Sequence, residues 1–330
     1  MLRLKRSLRL FGKNAKDRLG ILIGLIVMCL ILIVMTDKFL TSSNIFNIFR
    51  QIAINVFLAC GMTMVILLGG IDLSVGSVIA VSGCICAGMA SWVKLPIPVA
   101  ILIGTLCGTC VGLLNGIIIS TTNIPPFIVT LATMNIGRGV ARLYTQAKTI
   151  SVLNPEFTFL GAGKIGQVPI QFFLILLVVL VTSFILSRTQ MGRAIYHVGD
   201  NENAARYAGL NVRKVRFFVF LYSGFLASLA GILSCARTFA ATMDMGTSAE
   251  MDAIAAVVLG GTSMSGGRGT LLGTVIGAII IGVLNNGMNL LGINTSWQYV
   301  VQGVVILIAV YIDFFKSLGG FAALRKAKKA

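Results

Sequence analysis

The feature that most constrains this chain is a succession of long apolar segments separated by short polar connections. About ten of them approach the roughly 20 residues that an α-helix needs to cross the hydrocarbon core of a bilayer. The sequence is 57% hydrophobic and only 11% charged, whereas about a quarter of the residues of a soluble globular domain are charged. The sequence therefore predicts an all-α polytopic membrane protein, with residues 1–330 forming a single transmembrane domain.

The ten crossings are placed by segment length and flanking charge. They are residues 20–36, 47–68, 72–91, 99–120, 125–144, 170–187, 217–235, 251–264, 270–290 and 297–314. The basic arm and apolar run at the N-terminus are like those of a signal peptide, but no small-residue cleavage site follows Thr36. We therefore expect the first span to be retained, and an even number of crossings places both termini on the same side.

The basic residues set the orientation of these crossings. Eighteen of the 27 Lys and Arg residues lie in an arm at 1–19, a central segment at 187–216 and a tail at 316–330. Ten crossings place all three segments on one side, and an excess of Lys and Arg marks the cytoplasmic side. We expect a multi-pass protein of the cell inner membrane whose net charge of +17 orients the chain and attracts anionic lipid, rather than binding nucleic acid.

Residues 187–216 form the one long polar segment between the spans. Within it, residues 201–208 predict a short helix, because Asp200 and Asn201 can cap its start, Glu202 suits its first turn and Gly209 can end it. The segment is interpreted as a docking element for a partner or, alternatively, as a solvated connector held down by anionic lipid. The candidate coupling residues are Gly199, Asn201, Glu202, Ala205, Arg206 and Gly209.

The predicted docking helix carries small and charged residues at helical spacing. Ala204, Ala205 and Ala208 lie three and four residues apart, which predicts a small contact face. Glu202 and Arg206, at i and i+4, can pair with each other or with a partner. An isolated helix this short is marginally stable, so we expect it to gain stability by docking.

A repeat is visible when the two halves of the chain are laid together. Residues 104–116, GTLCGTCVGLLNG, resemble residues 273–287, GTVIGAIIIGVLNNG, when small gaps are allowed. The two copies are about five crossings apart, so they run in opposite senses, as in the inverted repeats of transporters; chance similarity between glycine-rich helices is the alternative. In the first copy glycine recurs at every fourth residue from 104 to 116, which predicts one helix face that packs closely against a neighbour.

Two segments interrupt the apolar pattern with glycines next to an acid. Residues 67–77, LLGGIDLSVGS, contain Asp72, and residues 259–270, LGGTSMSGGRGT, follow a short span that Asp252 starts much as Asp72 starts the third span. Asp72 either caps the helix after it or stands at a broken helix that faces a water-filled path. Two glycine-interrupted short helices in corresponding places indicate a transport path.

Further polar side chains recur within the spans, and most are neutral. The candidate path residues are Asp72, Ser74, Asn115, Thr130, Asn135, Asn286 and Gln298. Hydrogen bonds between helices are the structural alternative for most of them. A neutral lining suits an uncharged hydroxylated solute better than an ion, and no chain of buried carboxylates and histidines suggests a proton relay. Arg138 and Arg142 are expected to anchor their helix at the outer interface.

The histidine and the cysteines do not indicate a catalytic or metal site. His197 is the only histidine, which rules out sites built from paired histidines. All seven cysteines lie in or at the edge of apolar segments and are expected to pack as small hydrophobes. Redox or metal use of the Cys107 and Cys110 pair is the weaker alternative, since no second pair accompanies it. We expect no catalytic residue, no metal site and no cofactor.

Four motifs of the chain, taken together, resemble those of the permease subunits of bacterial ribose-type sugar ABC importers. They are GGIDLSVGS, IPPFIVTLATMNIGRGVA, GDNENAARYAGLNVRKVR and LGGTSMSGGRGTLLG. The resemblance covers residues 44–315. It implies a permease dimer in the cytoplasmic membrane that takes a monosaccharide from a periplasmic binding protein and is driven by a separate ATPase subunit. The coupling loop of that family corresponds to residues 199–209. Branched-chain amino-acid permeases share the same layout with different loops.

The sequence lacks the phosphate-binding motif that an ATPase would need. No GxxxxGK[ST] occurs in it, so the chain has no phosphate cradle of the usual kind and the resemblance places ATP hydrolysis in a partner. The competing classes are an ion-coupled secondary transporter, which would work alone with an ion gradient, and an intramembrane enzyme, which would need a catalytic cluster that the sequence does not contain.

Overall fold

The computed structural model describes residues 22–317, with side chains to residue 311. The described chain is almost entirely helical. The helices are α1 (Leu22–Met35), α2 (Ser42–Leu67), α3 (Val75–Ser91), α4 (Ile97–Thr121), α5 (Pro126–Thr145), α6 (Pro155–Ala162), α7 (Ile170–Arg188), α8 (Gln190–Asp200), α9 (Glu202–Tyr207), α10 (Val212–Thr238), α11 (Ala249–Leu259), α12 (Leu271–Leu290) and α13 (Thr295–Ser317). The predicted basic arm at 1–19 and most of the tail at 316–330 lie outside the described residues.

Four two-residue strands form two small antiparallel pairs. The strand β1 (Ile150–Ser151) pairs with β4 (Ala240–Ala241), and β2 (Lys164–Ile165) pairs with β3 (Val168–Pro169). The first pair joins the loop after α5 to the loop between α10 and α11. That loop is thereby tied to the first half of the chain just before α11 begins.

Each predicted crossing coincides with a helix, but the helices differ in length. Five are long and apolar enough to cross a membrane, namely α2, α4, α7, α10 and α12. Shorter apolar stretches are formed by α1, α3 and residues 295–311 of α13. The helix α11 has 11 residues and ends five positions before the end of the predicted crossing at 251–264, because Gly260 and Gly261 follow it and Gly261 has a positive φ of 83°. The membrane-protein class is thus confirmed.

The centre of the molecule is formed by α2, α3 and α10, with α11 beside them. The second half of α2 from Asn55 to Leu67 and most of α3 are buried. By contrast, α7 is largely exposed and is the most apolar of the five long helices, as expected of a helix that faces lipid. The interrupted segment at 67–77 joins the buried helices α2 and α3 and is largely buried, whereas the one at 259–270 follows α11 and is partly exposed.

The glycine-rich face of α4 packs against α3 and α10. A Cβ atom added at Gly108 would meet Ser82 and Ser228 at 3.0 Å or closer, and one at Gly112 would lie 2.7 Å from the carbonyl oxygen of Phe220 and 2.8 Å from the Cα atom of Gly224. Only glycine permits these backbones to approach so closely. The predicted close packing of this face is confirmed.

The polar connections contain more helix than the sequence analysis predicted. The outer loop after α5 forms α6, which Asn154 caps by accepting a hydrogen bond from the N–H of Glu156 (2.9 Å). In the central segment at 187–216, α8 precedes the predicted short helix and was missed. Thr189 caps α8 by accepting from the N–H of Gly192 (3.1 Å). The central segment therefore contains two successive helices, α8 and α9, where the sequence analysis expected a loop with a single short helix.

Candidate translocation and coupling sites

Four polar residues of the first half and one of α10 form a buried cluster, here called the Asp72 cluster: Asp72, Ser74, Asn115, Thr130 and Ser223. Asp72 Oδ1 accepts hydrogen bonds from the backbone N–H (3.0 Å) and the hydroxyl (2.6 Å) of Ser74. Its Oδ2 accepts from the hydroxyl of Ser223 on α10 (2.8 Å). Asn115 on α4 donates to Ser74 Oγ (2.9 Å), and Thr130 on α5 donates to the carbonyl of Ile71 (3.1 Å).

This cluster joins four helices and excludes water. None of its five side chains is more than 1% exposed. Asp72 bonds to the N–H of the residue just before α3 rather than to those of its first turn, so it does not cap α3 in the usual way. In this conformation its carboxylate holds the segment before α3 against α10. A buried carboxylate with three donors is strongly held in place.

The second half contains a polar cavity of about 230 Å³, here called the carboxamide cavity. Its lining residues come from α2, α10, α12 and α13: Gln51, Ile54, Asn55, Arg237, Gly282, Asn285, Asn289, Gln298 and Gln302. Gln298 donates to Asn289 Oδ1 (3.0 Å) and to the carbonyl of Ile293 (2.9 Å). Of the predicted path residues, only Gln298 lines this cavity.

Asp252 of α11 lies behind the wall of the cavity. Its Oδ2 accepts a hydrogen bond from Nδ2 of Asn285 (3.0 Å), and Gln302 donates to Oδ1 of Asn285 at the long distance of 3.4 Å. The Oδ1 atom of Asp252 is shielded and has no hydrogen-bond partner among the described residues. The carboxylate thus orients Asn285 while keeping one oxygen unpaired.

The sequence analysis missed most of this cavity, although a signal was present. Three helices each contribute carboxamides at i and i+4: Gln51 and Asn55, Asn285 and Asn289, and Gln298 and Gln302. Residues at this spacing share one helix face. Three such faces in one apolar chain indicate a common polar space. Ser223 gave no comparable signal.

Two predicted path residues lie outside both sites. Asn286 exchanges two hydrogen bonds, of 3.0 and 2.9 Å, with the side chain of Asn44 and is buried, so it joins α12 to the start of α2. Asn135 is exposed on α5 and donates to the carbonyl of Leu131 one turn earlier (3.1 Å). Neither residue meets the other path candidates, because each points to a different side of its helix.

Arg138 behaves differently from the expected interface anchor. Its guanidinium donates to the carbonyl oxygens of Met243 (3.2 Å) and Met245 (2.6 Å), in the loop that leads into α11. The expectation of an outer anchor is therefore wrong for Arg138, which packs α5 against this loop. Arg142, one turn later, is exposed.

The predicted short helix is confirmed as α9, with its cap and its end. Asn201 Oδ1 accepts from the N–H of Ala204 (2.9 Å), and Gly209 follows with a positive φ of 83°. Glu202 pairs with Arg206 (3.0 Å), as expected, and also with Arg216 at the start of α10 (2.6 Å). The helix is thereby fastened to the first turn of α10.

The face that α9 turns outward differs from the predicted contact face. Ala205 is only 4% exposed and packs inside the chain, whereas Ala204 and Ala208 are exposed. Ala205 is therefore corrected from a contact residue to a packing residue. Tyr207, which the sequence analysis did not single out, is 92% exposed and is the most prominent side chain of the helix.

Three backbone segments meet at Gly199, near the end of α8. The N–H of Gly267 donates to the carbonyl of Leu67 (2.9 Å), and a Cβ atom at Gly199 would collide with that same carbonyl. A Cβ at Gly266 would lie 2.8 Å from the carbonyl oxygen of Gly199. We call this contact the glycine junction. It brings α8 against the end of α2 and the loop after α11.

Tyr196 adds a side-chain contact beside the glycine junction. Its hydroxyl donates to the carbonyl of Gly269 (3.2 Å), and burial raises the pKa of this phenol, which keeps it a neutral donor at physiological pH. The helix α8 therefore contacts both glycine-interrupted segments that the sequence analysis identified, the one after α2 and the one after α11.

Comparison with known proteins assigns the chain to a family. The family model described as "Branched-chain amino acid transport system / permease component" matches residues 44–310. The chain belongs to this permease family. This permease is 42% identical to the ribose import permease protein of Bacillus subtilis over 311 residues, which cover 94% of this chain and 96% of that protein.

Two further relatives are named as permeases for other sugars. This permease is 38% identical to the D-allose transport system permease protein of Escherichia coli, with 84% of this chain and 85% of that protein covered. It is 32% identical to the xylose transport system permease protein of Haemophilus influenzae, with 88% and 94% covered. No solved structure matches this permease significantly.

Proposed function

We propose that this permease is the membrane-spanning subunit of an ABC importer for a monosaccharide, a ribose-like pentose or a hexose. A periplasmic binding protein delivers the sugar, and a separate cytoplasmic subunit hydrolyses ATP. The observation that carries the proposal is the 42% identity, over 94% of this chain, to a protein named as a ribose import permease. The allose and xylose permeases among the relatives support the wider class of monosaccharides.

The permease crosses the inner membrane ten times, with both termini in the cytoplasm, and works as a homodimer. A helix at each predicted crossing and the three basic segments support this topology. It places α8, α9 and the glycine junction at the cytoplasmic face. Residues 187–216 are then the coupling segment, between a basic arm at 1–19 and a basic tail at 316–330.

The two halves form an inverted repeat, in which α4 corresponds to α12 and α3 to α11. Hydrogen bonds support this pairing. In the first half, Asn115 of α4 bonds to Ser74 beside Asp72; in the second, Asn285 of α12 bonds to Asp252. Each glycine-rich helix thus holds the polar start of the short helix in its own half.

The glycine junction supports a route for the ATPase signal. A movement of α8 and α9 reaches the end of α2 and the loop after α11 together, because backbone atoms of all three segments are in contact at Gly199. The segment after α2 leads directly to Asp72. ATP-driven movement of the coupling segment would therefore act on the Asp72 cluster and on α11 in one step.

The family description favours one second candidate, a branched-chain amino acid as the solute. An amino acid carries an ammonium group, which binds most strongly to a carboxylate. Among the described residues, the only formal charge that lines the carboxamide cavity is the cation of Arg237. The cavity therefore agrees better with the sugar names of the relatives.

Reconstitution tests the proposed function. The permease is placed in liposomes with and without its ATPase and binding protein, and uptake of D-ribose, D-allose, D-xylose and L-leucine is measured. We expect ATP-dependent uptake of at least one monosaccharide by the full complex only. Saturable, gradient-driven uptake by the permease alone would overturn the ABC assignment. Leucine uptake without sugar uptake would show that the solute is a branched-chain amino acid rather than a monosaccharide.

The coupling surface is tested with a matched pair on α9. Tyr207→Ala removes the most exposed side chain of the helix, and we expect it to lower ATPase co-purification by about tenfold, because aromatic residues often anchor interfaces. Ala208→Ser, a small change on the exposed face, is the control and should retain the ATPase. Equal ATPase yields from both variants would mean that α9 is a connector.

A further inference from the structure

The carboxamide cavity has the hydrogen-bonding character of a site for a polyhydroxylated solute. Its wall carries six carboxamide side chains and one guanidinium. Each carboxamide offers both donors and an acceptor, which matches a sugar hydroxyl, since a hydroxyl also donates and accepts. The volume of about 230 Å³ is below the range of drug-sized pockets and suits a small solute.

Part of this hydrogen-bonding capacity is unused within the protein. Oε1 of Gln51 is buried and has no partner among the described residues. The bond from Gln302 to Asn285 is long at 3.4 Å, and so is weak. A bound hydroxyl could replace the Gln302 contact at little cost, and it could donate to Gln51 once rotation of that amide turns Oε1 toward the cavity.

The charges around the cavity select against other solutes. The guanidinium of Arg237 disfavours cations, and no acidic residue lines the wall among the residues that the structure describes. Six carboxamides against a single guanidinium favour a solute with many hydroxyls over a carboxylate, which would pair with Arg237 alone. Asp252 stands behind the wall, where its Oδ2 fixes the direction of the Asn285 amide. The lining therefore selects a neutral solute that both donates and accepts hydrogen bonds.

We propose that the carboxamide cavity is the site at which the permease receives its monosaccharide, with Gln51, Asn285 and Gln302 as the hydroxyl-binding residues. This inference rests on the proposed function and adds a location to it. In the ten-crossing topology, the cavity lies at the start of α2, the end of α12 and the start of α13. That is the outer side of the membrane, where a binding protein releases its sugar.

The test measures how fast a membrane-impermeant thiosulfonate reagent modifies a cysteine placed in the cavity. Asn289→Cys, at an exposed position, is the main variant and Gln298→Cys is the second, because both residues line the cavity without being among the proposed hydroxyl-binding residues. Each variant is assembled with the ATPase and the binding protein. The unaltered permease gives the background from its seven native cysteines. Asn115→Cys, in the fully buried Asp72 cluster, is the matched control and should not react.

We expect both cavity variants to react and a monosaccharide to protect them. With D-ribose, D-allose or D-xylose at about ten times its half-saturating concentration, the rate should fall roughly tenfold, because the free fraction of sites falls as 1 + [L]/Kd. L-Leucine should not protect. Uptake of the same sugars by the unaltered complex is measured in parallel.

The outcomes separate the inference from the function on which it rests. Absence of modification, or modification that no sugar slows while the unaltered complex still imports sugar, overturns the site and leaves the proposed function standing. Protection by leucine alone, with no sugar uptake, overturns both. Protection by a monosaccharide at Asn289→Cys or Gln298→Cys supports the site.

Discussion

Asp72 and Asp252 occupy corresponding places in the two halves of the proposed repeat, but their surroundings differ. Asp72 accepts three hydrogen bonds in a cluster without solvent. Asp252 accepts one, and its partner Asn285 lines an open cavity. The polar contact at Asp72 is therefore shielded from solvent, whereas the one at Asp252 lies beside a cavity that solvent can enter. If the two halves form the proposed repeat, this difference agrees with alternating access, in which one repeat moves against the other.

The largest effect should come from removing each carboxylate in turn. Asp72→Ala leaves three buried donors without an acceptor, and we expect a loss of about 3 kcal/mol or more in stability. Asp252→Ala removes one acceptor from an amide beside the cavity, where water can replace it, so we expect about 1 kcal/mol or less. The check is the thermal midpoint of each purified permease. Equal thermal midpoints for the two variants would mean that both carboxylates contribute equally to stability, which would contradict the comparison.

A smaller effect is expected from a methyl group at corresponding glycines of α4 and α12. In Gly112→Ala the new Cβ meets the backbone of Phe220 and Gly224, at 2.7 and 2.8 Å, and the expected cost is about 2 kcal/mol. In Gly282→Ala it meets Cγ1 of the buried Ile52 side chain, which must shift, whereas the nearest backbone atom lies at an ordinary contact distance of 3.6 Å. We expect a smaller cost of about 1 kcal/mol there. Chemical unfolding of both variants measures the difference, and a larger loss at Gly282 would contradict the comparison.

The smallest changes in stability should come from the corresponding asparagines, Asn115 and Asn285. Only one of the two variants should also change sugar uptake. Asn115→Leu removes a buried bond to Ser74 and should lower stability by about 1 kcal/mol. Asn285→Leu removes the described partner of Asp252 Oδ2 and should also lower stability by about 1 kcal/mol. It alone should raise the half-saturating sugar concentration for uptake about tenfold, the equivalent of roughly 1.4 kcal/mol of binding. Uptake kinetics and unfolding are measured on both. A kinetic effect at Asn115 alone would place the solute at the Asp72 cluster instead.

Much of the fold could be predicted because its signals are local in sequence. Apolar length predicted a helix at every crossing, and glycine spacing predicted the packed face of α4. The cap at Asn201 and the stop at Gly209 located α9, since capping depends on a few neighbouring residues. The helix α8 was missed because its polar sequence resembles a loop and its packing partners, Leu67 and Gly267, are remote in the chain.

The sites were harder to predict for the same physical reason. Ser223 becomes the partner of Asp72 only because α10 packs beside the segment before α3. Ala205 was assigned to the outer face of α9 because its spacing from Ala204 and Ala208 does not show which side the protein covers. Asn286 looked like a path residue until the fold paired it with Asn44. Each of these outcomes depends on tertiary contacts that sequence spacing does not contain.

The glycine junction has a consequence for protein engineering. The α8–α9 segment is an attractive unit to exchange between importers, because it is short and continuous in sequence. At Gly199, however, it fits against Leu67 and Gly266 with no room for a side chain, so its shape is shared by three distant parts of the chain. A hybrid permease that accepts a foreign ATPase will therefore need all three segments from the same donor. If α8 and α9 form the proposed coupling segment, transplanting these helices alone should give a protein that binds the foreign ATPase but does not couple ATP hydrolysis to transport.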